Sequence, residues 1–232
     1  YDWKPCDPYN AEMMRRELVK SDRDFGFCVS VTARPEYIGY WSKYCNSYRQ
    51  NWDSMGYWDN FMLILNTYKD FINTMKKGHF YDLDMLDIGT CELEDVRQSF
   101  TEDEQIMAYS LRAFMGSPIQ ISSTLENLTE FELSIYCNPE IIKINQDTLF
   151  SPARPYYICE NGRTKIHIYK RKLSDGSDAY AVFNLGDIRE LTKIYLDKKC
   201  IVRDVWANKD ICETDIISQR LEPHTVKIFK TK

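Results

Sequence analysis

Asp59-Asn60-Phe61-Met62-Leu63-Ile64-Leu65-Asn66-Thr67-Tyr68-Lys69-Asp70-Phe71-Ile72-Asn73-Thr74-Met75 places Phe61, Ile64, Leu65, Tyr68, Phe71, Ile72 and Met75 at helical spacing. A helix with such a stripe must bury it against another layer, and Gly78 ends the pattern. Upstream, Phe25-Gly26-Phe27-Cys28-Val29-Ser30-Val31 is a short apolar run that suits a buried strand. Further upstream, Asp7-Pro8 reads as an N-cap with proline at the first helical position. That helix is expected to reach about Lys20, with Met14 and Leu18 on one face. Downstream, Met85-Leu86-Asp87-Ile88-Gly89 is a second strand candidate. Thr101-Glu102-Asp103-Glu104 is a capping box that opens a helix through Phe114. Gly116 and Pro118 break it, Ile119-Gln120-Ile121 reads as strand, and Thr129-Glu130-Phe131-Glu132 caps a further short helix. Residues 1 to 150 therefore alternate buried strands with helices, the pattern of βα units around a parallel sheet.

After Pro152 and Pro155 the period changes. Lys165-Ile166-His167-Ile168-Tyr169, Tyr180-Ala181-Val182, Ile194-Tyr195-Leu196 and Val226-Lys227-Ile228 read as strands, and Asn161-Gly162 and Asp175-Gly176 are hairpin-turn signals. Residues 151 to 232 are expected to form a separate antiparallel domain, so the fold class is α/β followed by all-β.

Composition narrows the function. The chain has 232 residues, 44% of them hydrophobic, and a net charge of −5. This describes a folded protein, and the mildly acidic balance argues against a nucleic-acid partner, whose phosphates call for clustered Lys and Arg. The apolar run Phe61 to Leu65 stops at Asn66, far short of the ~20 residues of a membrane span, so no membrane-spanning helix is expected. The eight cysteines show no C-x-x-C and no zinc spacing, and no Gly-rich phosphate loop or Ser-His-Asp spacing is present. No metal or cofactor is expected. An even cysteine count is compatible with disulfides and with buried thiols.

In parallel α/β folds the reactive groups gather at the carboxyl ends of strands. The polar residues at expected strand ends are Asp2, Arg49, Asp53, Asp82, Asp84 and Asp87, with Trp3 and Trp52 as neighbours. Two carboxylates with aromatic platforms suit glycoside hydrolysis, in which one stabilises the sugar cation and the other carries a proton.

These residues resemble a family. Tyr1-Asp2-Trp3 is similar to the nucleophile-bearing strand end of glycoside hydrolase family 27, the α-galactosidase and α-N-acetylgalactosaminidase group. Arg49 and Asp53 match the family's Arg-x-x-x-Asp, and Asp82-Leu83-Asp84-Met85-Leu86 matches its Asp-Pro-Asp-Met-Leu with Leu83 in place of proline. Ile144-Asn145-Gln146-Asp147 is similar to its Ile-Asn-Gln-Asp. The resemblance implies the C-terminal half of a (β/α)₈ TIM barrel over residues 1–150, entering at the end of the fourth strand, and an antiparallel β-sandwich over 151–232. Half a barrel exposes sheet edges, so strands one to four are expected from another polypeptide segment, on the same or a companion chain.

The family's roles, carried onto this chain, make Asp2 the nucleophile and Asp53 the acid/base of a retaining hydrolase acting on an α-galactoside or related oligosaccharide. Arg49, Asp84, Met85 and Trp3 would contact the sugar, while Asp82 would brace the site. Two departures stand out. Lys4 and Val31 occupy positions where the family carries cysteines, and Cys6 with Cys28 would be a substitute bridge. Thr32 stands where the family carries a substrate-reading glutamate, which points to a changed specificity such as an α-N-acetylgalactosaminide or an α-glucan. A non-catalytic, carbohydrate-binding remnant is the rival from another class. An oligomer is compatible with the resemblance, which favours a secreted, periplasmic or lysosome-like location. A retaining pair predicts ~5–5.5 Å between the Asp2 and Asp53 carboxyls. A crystal structure measuring that distance at ~9 Å would refute either the pairing or the retaining stereochemistry.

Overall fold

In chain order α1 (Pro8–Leu18), β1 (Cys28–Val29), α2 (Ile38–Tyr44), β2 (Ser47–Arg49), α3 (Trp58–Phe71), β3 (Phe80–Asp82) and α4 (Glu102–Met115) form the α/β part. The shorter helices α5 (Glu130–Tyr136) and α6 (Pro139–Asn145) lead into six strands: β4 (Arg154–Asn161), β5 (Thr164–Lys172), β6 (Asp178–Asn184), β7 (Glu190–Asp204), β8 (Lys209–Leu221) and β9 (Thr225–Thr231). This computed structural model describes residues 8–30, 35–49, 53–73, 75–89 and 99–232.

β1, β2 and β3 lie side by side and parallel, with Cys28 opposite Ser47 and Arg49 opposite Asp82. A parallel bridge between Leu86 and Ile121 continues the series. These units are the second half of a (β/α)₈ barrel. The antiparallel strands run β4-β5-β6-β9-β7-β8, and the expected hairpins sit at Gly162 (φ 58°) and Gly176 (φ 84°).

Alternation along the antiparallel strands divides the core. Ile166 and Ile168 of β5, Tyr180 and Val182 of β6 and Phe229 of β9 meet Ile194, Val202, Ile217 and Leu221 inside the second domain. Tyr169, Ala179, Ala181, Phe183, Val226 and Ile228 face the other way and join the core of the barrel half. α4 fills the space between and is buried on nearly every side.

Helix starts follow the sequence closely at α4 and α5, where Thr101 with Glu104 and Thr129 with Glu132 form reciprocal capping boxes. Three differences stand out. The strand expected at residues 85–89 lies instead at Phe80–Asp82, because Asp84 adopts φ 68° and ends the extended backbone. Ile119–Ile121 contributes one bridge rather than a strand. On α1, Met14 is exposed and Ala11 is the buried residue.

Arg171 joins the two halves from β5. It is fully buried and donates from Nη1 to the carbonyl of Phe114 (3.1 Å) and to that of Ala113 (3.4 Å), which also accepts from the Gly116 N–H (3.2 Å), at the end of α4. Arg171→Met should lower stability by about 1–3 kcal/mol, because it removes the guanidinium that the buried Phe114 carbonyl bonds. The urea midpoint tests this. An unchanged midpoint would mean that the carbonyls are satisfied without the guanidinium.

Candidate active site

The parallel strands are short and their carboxyl ends are adjacent, so the register alone sets Arg49 beside Asp82. The Arg49 side chain is largely buried, and its Nη2 donates to Asp53 Oδ1 at 2.6 Å and to Asp84 Oδ2 at 2.7 Å. Asp84 is held at its N–H, its carbonyl and Oδ2. Its N–H donates to Asp82 Oδ1 at 2.8 Å, and its Oδ2 also accepts from the Ser54 N–H at 2.6 Å. Its carbonyl accepts from Arg112 Nε at 3.0 Å. These contacts hold a non-glycine residue in the left-handed region, a conformation with a steric cost. Asp53 differs, since 56% of its side chain is exposed and among the described residues Arg49 is its ion-pair partner. Its carbonyl accepts from Asn60 Nδ2, whose Oδ1 accepts from the Met55 N–H, so the segment after β2 is pinned to the start of α3.

Asp82 lies beneath the pair, 2% exposed. Its Oδ2 accepts from Gln120 Nε2 at 3.2 Å and from the Cys28 thiol at 3.7 Å. Burial pushes its carboxyl above the usual carboxylate range, and the charge of Asp84 adds to this. The Asp84 N–H, Arg49 and Cys28 pull in the other direction. The same burial raises Asp87, which is turned aside to accept from Ser122 Oγ at 2.5 Å. Burial lowers the Arg112 guanidinium to about 10, opposed by the charges of Asp87, Asp84 and Asp82.

Of the residues singled out in the sequence, Arg49, Asp53 and Asp84 are thus brought together, with the half-exposed Met85 next to them. Asp2, Trp3, Thr32, Trp52 and the Cys6 half of the expected bridge lie outside the described residues. His79 has a structural role, with Nδ1 2.7 Å from the Cys45 carbonyl. Ser54, Gln120 and Arg112 escaped the sequence reading. Arg112 alone left a trace there, as a charge in the apolar stretch Leu111 to Met115. Chemically the cluster offers one exposed carboxylate, one fixed carboxylate and a bridging cation, a set of donors and acceptors suited to polyhydroxylated ligands.

The family model described as alpha galactosidase A matches residues 12–147, and that of the alpha galactosidase C-terminal beta sandwich domain matches 163–231. An alpha-galactosidase of Lachancea cidri is 30% identical over 138 residues, covering 57% of this chain and 28% of the relative. An alpha-N-acetylgalactosaminidase of Rattus norvegicus is 31% identical over 144 residues, covering 60% and 32%. The chain spans about a third of the length of these curated relatives. The crystal structure of a β-L-arabinopyranosidase from Geobacillus stearothermophilus superposes with a TM-score of 0.89 at 20% identity, over 97% of this chain and 54% of that one. Alpha-galactosidase I from Mortierella vinacea gives 0.81 at 20% identity, over 98% and 64%.

Asp82 carries a pH prediction. Its folded pKa lies above that of a free carboxylate, so folding favours its protonated form. That contribution is fully present below the ordinary carboxylate range and is lost as pH rises through the raised folded value. Wild type should therefore lose stability relative to Asp82→Asn as pH rises from the ordinary carboxylate range through the raised folded value. Urea midpoints of both proteins across this window measure it, and a gap that is constant or moves the opposite way contradicts the assignment.

Proposed function

The chain belongs to glycoside hydrolase family 27, and from that premise we propose that it is part of a retaining hydrolase that removes a terminal α-linked galactose or a close relative. The observation that supports this most is the single guanidinium of Arg49 bonded to both Asp53 and Asp84 at the mouth of the parallel strands. The curated relatives named alpha-galactosidase and alpha-N-acetylgalactosaminidase support the substrate class.

In this reading Asp2 attacks the anomeric carbon while Asp53 gives its proton to the departing oxygen, and the sugar becomes esterified to Asp2. Asp53, now a carboxylate, takes a proton from water, whose oxygen attacks the same carbon and frees both sugar and Asp2. Asp84 accepts hydrogen bonds from sugar hydroxyls, and its three bonds to Asp82, Ser54 and Arg49 keep its geometry fixed before substrate arrives. Arg49 neutralises the pair and donates to hydroxyls. Trp3 offers an apolar face and Met85 a flexible wall. Asp82 braces the turn from below. The remaining barrel strands come from a further polypeptide segment, which closes the open edges of the parallel sheet, and the change of architecture near residue 150 marks the boundary between two domains.

Thr32 favours a second specificity within the same chemistry. A short hydroxyl in place of a glutamate removes a charged acceptor for sugar hydroxyls and leaves room for a larger substituent, as on an α-N-acetylgalactosaminide.

The test is turnover of 4-nitrophenyl α-galactoside and α-N-acetylgalactosaminide by the full protein. Asp53→Asn should slow the preferred substrate by about 10²–10⁴-fold, and Asp2→Asn should abolish the covalent intermediate. Absence of turnover on every α-glycoside would remove the hydrolase reading. Asn variants with full activity would leave the family intact and refute the two assignments.

A further inference from the structure

Arg112 is buried in the middle of α4, and its guanidinium is almost fully used. Nε donates to the Asp84 carbonyl at 3.0 Å, Nη2 to the Met85 carbonyl at 2.8 Å and to Ser54 Oγ at 2.6 Å, and Nη1 to the Ala108 carbonyl at 3.3 Å. Each of these acceptors is neutral. A buried cation without a bonded carboxylate carries a large desolvation cost, and an apolar side chain would fill the same space more cheaply. Packing therefore does not account for it.

What the guanidinium does is connect two segments that no backbone bond joins. One is Asp53-Ser54, following β2, and the other is Asp84-Met85, following β3. Ser54 completes the connection, since its hydroxyl accepts from Arg112 while its N–H donates to the Asp84 carboxylate. The fork geometry matters here. Its rigid plane fixes three acceptors relative to one another, which a lysine ammonium on a flexible stem would not do.

We propose that Arg112, acting through Ser54 and the Asp84 carbonyl, is a positioning residue that sets the spacing between Asp53 and Asp84. The proposal rests on the hydrolase reading above and adds to it a part of α4 that lies outside the strand-end residues. Asp53 would then protonate the leaving oxygen from a fixed height above the sugar hydroxyls that Asp84 holds. Loosening the link would cost most where proton transfer is most needed.

The experiment compares two substrates in Ser54→Ala, Arg112→Lys and Arg112→Met. Methyl α-galactoside needs its leaving group protonated, whereas 2,4-dinitrophenyl α-galactoside does not. In Ser54→Ala, kcat/KM on the methyl glycoside should fall by about 10²-fold, with a much smaller loss on the dinitrophenyl glycoside. Arg112→Lys should fall between wild type and Arg112→Met. A merely structural role would lower both substrates together, in proportion to the folded fraction. Equal losses on both substrates, or a Ser54→Ala variant that matches wild type, would overturn the proposal. Should wild type cleave neither glycoside, the α-galactoside reading fails, and the crystal structure of Ser54→Ala decides the positioning claim. A displaced Asp84 carboxylate sustains it and an unmoved one refutes it.

Discussion

α4 has almost no wet side, and much of the architecture follows from that constraint. A helix in water can leave its polar side chains to solvent, but one packed between a parallel and an antiparallel sheet must find a partner for each of them in the protein. Glu104 caps the helix through Thr101 and also meets His224 of the β8–β9 turn at 2.7 Å. That imidazole in turn stacks on Trp58 of α3, with ring centres 3.8 Å apart. Ser110 accepts from the indole of Trp206 at 2.9 Å. The terminal carbonyls take Arg171, and Arg112 reaches the strand ends. Three of these contacts, Glu104 with His224, Ser110 with Trp206 and the terminal carbonyls with Arg171, tie α4 to the antiparallel strands and their turns, while Thr101 and Arg112 keep it within the α/β part.

The same constraint shapes the electrostatics of the strand ends. Among the described residues, Arg49 and Arg112 stand near four acidic side chains, Asp53, Asp82, Asp84 and Asp87. The four differ in surroundings. Asp53 faces solvent, Asp84 is enclosed and paired, and burial raises the carboxyls of Asp82 and Asp87.

Much of this was legible before any coordinates. The stripe from Phe61 to Phe71 gives α3, the two capping boxes give α4 and α5, and the Asn161-Gly162 and Asp175-Gly176 turns give their hairpins, because each is a local signal with local causes. The rule that strand ends carry the chemistry selected Arg49, Asp53 and Asp84, and they do converge. What was illegible depended on contacts distant in sequence. β2 is three residues with one buried side chain, Tyr48, and has no period to read. α2 is seven residues without a side-chain cap. The displaced strand before Asp84 is set by bonds to Ser54, 30 residues away, and by Arg112, 28 residues away. Propensity sees none of these.

Arg49 Nη2 lies between Asp53 and Asp84. One amino group serves two carboxylates, so its hydrogens are committed, and Arg49 Nε, also buried, has no bonded partner among the described residues. The two bonds are not equivalent. Asp84 retains its Ser54 N–H and its own backbone anchors if the arginine contact is shared, whereas Asp53 has the exposed side chain and the fewer partners. A ligand hydroxyl entering from solvent competes most easily for the Arg49–Asp53 bond, because it replaces one charge-assisted contact at an exposed group and leaves the buried pair intact. The two carboxylates share one guanidinium, yet among the described residues Asp84 keeps further bonds to Ser54 and Asp82 while the side chain of Asp53 faces solvent.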